Sequence, residues 1–323
     1  YRVKETDGTM SGGPMYYIAN GLKMKWLAVC FAVFGMIAAL GTGASVQSNS
    51  LAQSAQASFG MPGWLTGVIL TSITALVILG GIKSIARVTA VIVPFMAATY
   101  LLGGLAVILT NLEALLPALA VIFQDAFTGQ AAAGGAIGTV IRYGVARGVF
   151  SNEAGLGTAP IAAAAAKTDQ PVKQALVSMT GTFIDTIIVC SITGIVLVMG
   201  GEYQSGTTGA ALTSLSFDNM LPGPGGWIVT IGLLFFAYST ILGWSYYGEK
   251  CTQYALGKRF VTPYRWIYTS FVMIGTVVSL DLVWAVSDVF NGLMAFPNLI
   301  GIVMLSGVVI KETQDYLASR SKK

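Results

Sequence analysis

The residues best suited to chemistry lie in one polar stretch, residues 150–160 (FSNEAGLGTAP), inside an otherwise apolar region. Its serine, asparagine, glutamate and threonine offer oxygen atoms to a ligand, while its two glycines and its proline weaken a helix. Backbone inside a membrane loses its helix only where it contacts protein or a water-filled cavity. A broken span of this kind indicates a binding site in a transporter.

Four ionisable residues stand out inside apolar segments, where each costs a few kcal/mol to insert into a membrane. They are Arg142, Arg147, Glu153 and Asp185. Because a buried charge persists only when it is paired, we expect one of the two arginines to pair with one of the two acids. Such a pair either orders the helices statically or takes part in coupling or gating.

Two further segments contain polar groups that are unsuited to lipid. Gln47, Asn49 and Gln53 in the first apolar segment either line a cavity or hydrogen-bond to neighbouring helices. In the sixth, Phe236, Ser239 and Thr240 are spaced i, i+3 and i+4, so a carbonyl and two hydroxyls converge on one helix face. Hard cations prefer such oxygen ligands, although these hydroxyls also commonly bond to the preceding turn.

The aromatic residues Tyr238 and Trp244 of the sixth segment are interpreted as packing or interface anchors.

The composition favours a membrane protein over a soluble one. Only 10% of the 323 residues are charged, against about 25% in a soluble domain. The chain has no histidine, and its three cysteines are scattered, so no metal site or disulfide framework is predicted. The absence of a phosphate-binding loop argues against ATP-driven pumping, the absence of a nucleophile–base set argues against an enzyme, and we expect no nucleic-acid partner.

Eight apolar segments are long enough to cross a bilayer. They are residues 26–52, 64–82, 88–110, 134–166, 175–200, 226–248, 264–280 and 282–310. As one helix, residues 134–166 would extend about 50 Å, far more than a membrane requires. Half-helices at 136–150 and 158–166 around an unwound segment at 151–157 fit better, although the span could instead end near Phe150.

The loop charges predict the orientation of these segments. With residues 1–25 as a cytoplasmic loop and 311–323 as a cytoplasmic tail, the inner side holds 16 of the 18 basic residues. The same rule makes residues 112–127 an outer interfacial helix and 282–310 one span, bent or broken near Pro297. The outer loop at 201–225 is predicted to contain a short helix at 207–220.

Several strings together resemble one known family. They are SGGPMYYIANGL at 11–22, GGIKSIARVTAVIVPFMA at 80–97, IRYGVARGVFSNEAGLGTAPIAAAAAKTDQPVKQ at 141–174, GTFIDTIIVC at 181–190, FNGLMAFPNLIG at 290–301 and SGVVIKET at 306–313. They resemble the alanine or glycine:cation symporters of the amino acid–polyamine–cation superfamily, and the likeness covers nearly the whole chain.

The resemblance implies an all-α, polytopic membrane helix bundle of the leucine-transporter type, with two inverted five-helix repeats. The eight spans would be core helices three to ten of a single transporter domain, residues 1–323, truncated at its N-terminus. A monomer in the cell membrane, with both ends of this chain cytoplasmic, is expected. A channel is disfavoured because no repeated pore loop is present.

The resemblance also implies functional residues, with the broken segment as core helix six. The implied substrate-binding residues are Gln47, Phe150, Asn152, Gly155 and Gly157. The implied sodium ligands are the carbonyl of Phe236 and the hydroxyls of Ser239 and Thr240. The expected function is sodium-coupled import of a small neutral amino acid, alanine or glycine. The alternative is proton-coupled amino-acid transport that uses Glu153 or Asp185.

Overall fold

The computed structural model describes residues 1–5, 8–127 and 137–321, most of which are helical. The chain begins with a two-stranded antiparallel hairpin, β1 (Val3–Lys4) and β2 (Met10–Ser11), with Val3 opposite Ser11. Helix α1 (Pro14–Gly21) follows and buries Met15 and Ile18 completely. Within the predicted cytoplasmic loop at residues 1–25, helix α1 is therefore part of the folded core.

Between residues 25 and 127 the helices follow one another closely. They are α2 (Lys25–Ala38), the π-helix π1 (Ala39–Val46), α3 (Gln47–Phe59), α4 (Gly63–Leu79), α5 (Gly81–Thr110) and α6 (Leu112–Phe127). Helices α2, π1 and α3 form one uninterrupted helix of 35 residues. Helix α6 coincides with the interfacial helix predicted at 112–127.

The helices after residue 137 include a second π-helix. They are α7 (Ile137–Asn152), α8 (Ala159–Ala163), α9 (Pro171–Thr182), π2 (Phe183–Val189), α10 (Cys190–Gly200), α11 (Gly209–Met220), α12 (Gly225–Leu256), α13 (Val261–Gly275), α14 (Leu280–Met304) and α15 (Ser306–Ser321), with short 3-10 turns at Glu202–Gln204 and Lys258–Phe260. Helix α11 confirms the short helix predicted at 207–220.

Five helices in the described part are long and apolar enough to cross a membrane. They are Lys25–Phe59, Gly81–Thr110, Pro171–Gly200, Gly225–Leu256 and Asp281–Met304. Shorter helices occupy the other predicted spans, at 64–82, 134–166 and 264–280. The structure therefore supports a polytopic helical membrane protein, and the count of eight spans and the inverted-repeat architecture stay predictions.

The prediction of a bend or break near Pro297 is wrong about a break. Helix α14 continues through this proline and ends at Met304, and the interruption falls at Leu305. A proline removes one backbone hydrogen bond, and a long helix inside a membrane bundle tolerates this loss. Helices α5 and α6 likewise continue through Pro94 and Pro117. The described part of the predicted tail at 311–323 is helical, as part of α15.

Helix α12 lies at the centre of the bundle and packs against α5, α2, π1 and α3. The main hydrophobic core contains the fully buried Phe31, Ile241 and Tyr268. Large apolar side chains also cover the outside; Leu76 is 76% exposed and Val91 is 72% exposed. Exposed apolar surface of this extent suits contact with lipid.

Candidate functional site

The predicted break in the fourth segment is present. Helix α7 ends at Asn152, α8 begins at Ala159, and the six residues between them are not helical. The interruption therefore lies at 153–158, close to the predicted 151–157. Glu153, Gly155 and Gly157 all have positive φ angles, of 55°, 82° and 93°. This left-handed backbone is ordinary for glycine but costs energy at glutamate, so contacts outside the break must hold Glu153 in place.

Neutral donors hold the Glu153 carboxylate. It accepts a hydrogen bond from Thr158 Oγ1 at 2.5 Å and another from Trp244 Nε1 at 2.8 Å. The first bond closes the break on itself, and the second ties it to α12. The predicted pairing of Glu153 with an arginine is therefore wrong in the described part of the chain.

Arg147 pairs with Asp288 of α14, an acid that the sequence analysis did not single out. Its Nη2 lies 2.5 Å from Asp288 Oδ2, and its guanidinium lies 4.2 Å from the centroid of the Trp284 ring. Trp284 in turn contacts the ring of Phe150, with the centroids 4.7 Å apart. Arg147 and Phe150 are spaced i, i+3 and share one face of α7. Trp284 and Asp288 are spaced i, i+4 and share one face of α14.

Arg142 has a different environment, because its guanidinium lies 5.2 Å from the ring centroid of the neighbouring Tyr143. Its predicted pairing with Glu153 or Asp185 is therefore not seen.

Exchanging the charges of Arg147 and Asp288 tests whether this ion pair contributes to transport. The single changes Arg147→Asp and Asp288→Arg are each expected to reduce transport severalfold, because each places two like charges together. The double exchange is expected to recover most of the loss. Both side chains are more than a third exposed, so the favourable interaction itself is worth about 1 kcal/mol or less. Uptake by the double variant no better than by the worse single variant would contradict a role for the pair.

Asp185 lies in π2 and accepts a hydrogen bond from Ser151 Oγ at 2.5 Å. This contact joins the end of α7 to the segment that begins with α9. The predicted link between the broken segment and the fifth span thus exists, but a serine makes it instead of an arginine. Single π turns inside helices are often found at functional sites.

The other predicted residues of the break are also engaged. Asn152 Oδ1 accepts the backbone N–H of Ala154 at 2.9 Å and so stabilises the turn that leaves α7. The carbonyl of Gly155 accepts Asn298 Nδ2 at 2.8 Å, and Asn298 Oδ1 accepts the hydroxyl of Tyr17. Asn298 is only 1% exposed, and the sequence analysis did not single it out.

Gly157 lies against protein. A Cβ at this position would stand 2.5 Å from Pro14 Cγ and 2.9 Å from Phe31 Cε2. Only a glycine fits here, both for its positive φ and for this close approach. Close packing by itself thus accounts for Gly157, one of the predicted substrate-binding residues.

Gln47 lies where π1 passes into α3, and its Nε2 donates to the carbonyl of Thr42 at 3.3 Å. Asn49 and Gln53 have the packing role that was one of their two interpretations. Asn49 Nδ2 donates to the carbonyls of Gly275 and Val278, both at 2.8 Å, at the end of α13. Gln53 donates to Asn49 Oδ1 at 2.7 Å and holds that amide in place.

The predicted cation-ligand oxygens do converge on α12. The hydroxyls of Ser239 and Thr240 each donate to the Phe236 carbonyl, at distances of 2.9 Å. These are the bonds to the preceding turn that formed the alternative interpretation. The same bonds keep three oxygens together on one helix face. Either hydroxyl can rotate away from the carbonyl and present its lone pairs to a cation.

Trp244 joins three regions that the sequence analysis treated separately. Its indole donates to Glu153 in the break, and it lies four residues from Thr240 on the same face of α12. A Cβ on Gly43 would stand only 2.1 Å from Trp244 Cβ, so π1 packs directly against this residue. The interpretation of Trp244 as an anchor was therefore incomplete. The small residues of the GTGAS sequence at 41–45 were the sequence feature that could have indicated a large side chain packed against them. Tyr238 bonds to the carbonyl of Ile73, in keeping with packing.

The far end of the broken segment is held by Arg2. Its guanidinium donates to the carbonyls of Ala164, Ala166 and Thr168 at 3.1, 2.7 and 2.9 Å. These are backbone groups just after α8, which would otherwise lack a helical partner. The residue before the N-terminal hairpin therefore holds the chain just after α8.

The broken helix contacts π2 and bonds to Trp244 of α12, and π1 packs against the same tryptophan. Discontinuous helices of this kind are typical of membrane transporters. The sodium:alanine symporter family model matches residues 1–323, and the chain belongs to that family. It is therefore a transporter and not an enzyme.

The relatives agree with this assignment. The sodium/alanine symporter AgcS of Methanococcus maripaludis is 53% identical over 98% of this chain and 71% of its own length. An uncharacterized transporter of Haemophilus influenzae is 51% identical over the same shares of the two chains. YrbD of Bacillus subtilis, whose name suggests a sodium/proton-dependent alanine carrier, is 38% identical over 100% of this chain and 70% of its own length.

Proposed function

We propose that the protein imports a small neutral amino acid, alanine or glycine, across the cell membrane together with sodium. The observation that carries the proposal is the convergence of the break, π1 and the oxygen-rich face of α12 at Trp244. Family membership and the name of AgcS support alanine and sodium as the transported pair. A monomer suffices, since all three elements belong to one chain.

In this proposal the amino acid binds at the break. The implied contact residues are Gln47, Phe150, Asn152, Gly155 and Gly157. The C-terminal end of α7 carries the negative end of a helix dipole, which suits the ammonium group of the substrate. Gly157 contributes the backbone conformation, and a small substrate suits the helix rich in small residues that follows it.

Sodium binds on α12 through the Phe236 carbonyl and the hydroxyls of Ser239 and Thr240. These are oxygen ligands of the kind that hard cations select. Sodium bound there stabilises an outward-open state, the amino acid then closes the outer side, and rocking of the helices releases both ligands inward. Arg147, Asp288, Asp185 and Glu153 tie the moving break to its neighbours in this cycle.

Uptake measurements decide between the coupling ions. Proteoliposomes containing the complete protein should take up radiolabelled alanine when sodium is outside, and lose that uptake when choline replaces sodium. Uptake unaffected by choline would contradict sodium coupling. Uptake driven by a pH gradient without sodium would instead support the proton-coupled alternative, in which Glu153 or Asp185 carries the proton.

Changing the hydroxyls of α12 tests the proposed sodium site. Ser239→Ala and Thr240→Val are each expected to raise the sodium concentration for half-maximal uptake about tenfold, since each removes one oxygen ligand. Thr252→Val is the matched control, because this threonine also bonds to its preceding turn, to Gly248 at 2.8 Å, on the same helix. Equal sodium dependence in the three variants would place the site elsewhere.

A further inference from the structure

A basic cavity of about 780 Å³ lies where the ends of α5, α12 and α13 meet the chain after α8. Its basic lining residues are Arg2, Lys83, Lys167, Lys250, Lys258 and Arg265. Glu249 is the one acid among the described lining residues, and it pairs with Arg265 at 2.8 Å. All six cations come from segments predicted to face the cytoplasm.

One of these cations is held rigidly inside the protein. Lys250 is only 5% exposed, and its Nζ donates to Ser11 Oγ at 2.9 Å and to Gln253 Oε1 at 3.2 Å. By contrast, Lys83, Lys167 and Lys258 are exposed. The cavity therefore combines a buried charge with three exposed lysines.

Large apolar side chains adjoin the cavity residues in the sequence. Leu79, Phe260 and Trp266 are 42%, 37% and 53% exposed, and each directly precedes or follows a lining residue. Tryptophan in particular is enriched where a membrane meets water. Exposed apolar side chains thus directly flank lining residues of the basic cavity in the sequence.

We propose that this cavity binds the phosphate of an anionic phospholipid head group, with the acyl chains against the neighbouring apolar side chains. Basic pockets between membrane helices on the cytoplasmic side attract such head groups. Inorganic phosphate carries the same negative charge, but it has no apolar part that could contact the exposed leucine, phenylalanine and tryptophan. The combination of charge and apolar surface therefore favours lipid.

The test compares lipid binding by two triple variants of the complete protein in detergent. The variant K83Q/K167Q/K258Q removes three cavity lysines. The variant R87Q/R259Q/K311Q removes three exposed charges from similarly placed segments outside the cavity lining, and serves as the matched control. Native mass spectrometry then measures binding of phosphatidylglycerol and phosphatidylcholine, and a thermal shift measures the effect of sodium phosphate.

Phosphatidylglycerol is expected to bind the wild type and the control variant, and to bind the cavity variant on the order of 100-fold more weakly. Equal binding by the two triple variants, or equal binding of phosphatidylcholine, would overturn the proposal. Stabilisation by sodium phosphate that depends on the same lysines would show a soluble anion in place of lipid. If the triple cavity variant does not purify, K83Q alone should bind about fivefold more weakly.

Discussion

Replacing Glu153 with alanine is expected to lower alanine uptake roughly 100-fold. The change removes the acceptor for both Thr158 Oγ1 and Trp244 Nε1. A buried donor left without a partner costs about 1–3 kcal/mol, and this cost destabilises the backbone conformation of the break. The initial uptake rate in proteoliposomes, normalised to the amount of purified protein, measures the effect.

Two companion variants sharpen this test. Glu153→Gln keeps one acceptor oxygen and no charge, so it should retain part of the sodium-driven uptake but none of a proton-driven uptake. Glu113→Ala removes an exposed glutamate from the first turn of α6 and should leave uptake nearly unchanged. Transport by Glu153→Ala at the wild-type rate would show that the bond to Trp244 has no part in the cycle.

Replacing Gly157 with alanine is expected to destabilise the protein by about 2–5 kcal/mol and to abolish uptake. The positive φ of 93° costs a non-glycine residue about 1–2 kcal/mol, and the added carbon would lie 2.5 Å from Pro14 Cγ. Overpacking of a dense core adds about 1–3 kcal/mol. The midpoint of thermal unfolding in detergent should fall by several degrees.

The control for Gly157 lies in the same segment. A Cβ on Gly148, in the middle of α7, would meet no atom within 4 Å. Gly148→Ala should therefore gain up to about 1 kcal/mol of helix propensity and keep its uptake. Equal thermal stability of the two alanine variants would refute the account of Gly157.

Local chemistry in the sequence predicted the break, α6 and α11 well. Residues 150–160 combine two glycines, a proline and several polar groups, which together weaken a helix, and apolar runs of about 20 residues specify helices inside a membrane. The packing role of Asn49 and Gln53 was also foreseeable as one of two choices, because amides in an apolar helix must find partners.

Long-range pairing could not be predicted in the same way. The sequence offered Glu153 and Asp185 as partners of Arg147, whereas the packing of α7 against α14 selects Asp288. The π-helices were missed because an extra residue per turn leaves no compositional signature. In π1 the close contact is between Gly43 and Trp244, which lie far apart in the sequence. Pro297 suggested a break, but a helix inside a membrane bundle can continue through a proline, as α14 does.

The contacts that hold the break also set the order in which it can form. Its bond to Trp244 spans 91 residues, its bond from Asn298 spans 143, and Arg2 reaches Ala166 across 164. Closing such long loops is entropically costly and slow. The left-handed turn at Glu153 is thus completed only once α12 and α14 have been synthesised and inserted, which makes the proposed substrate site one of the last parts of the protein to fold.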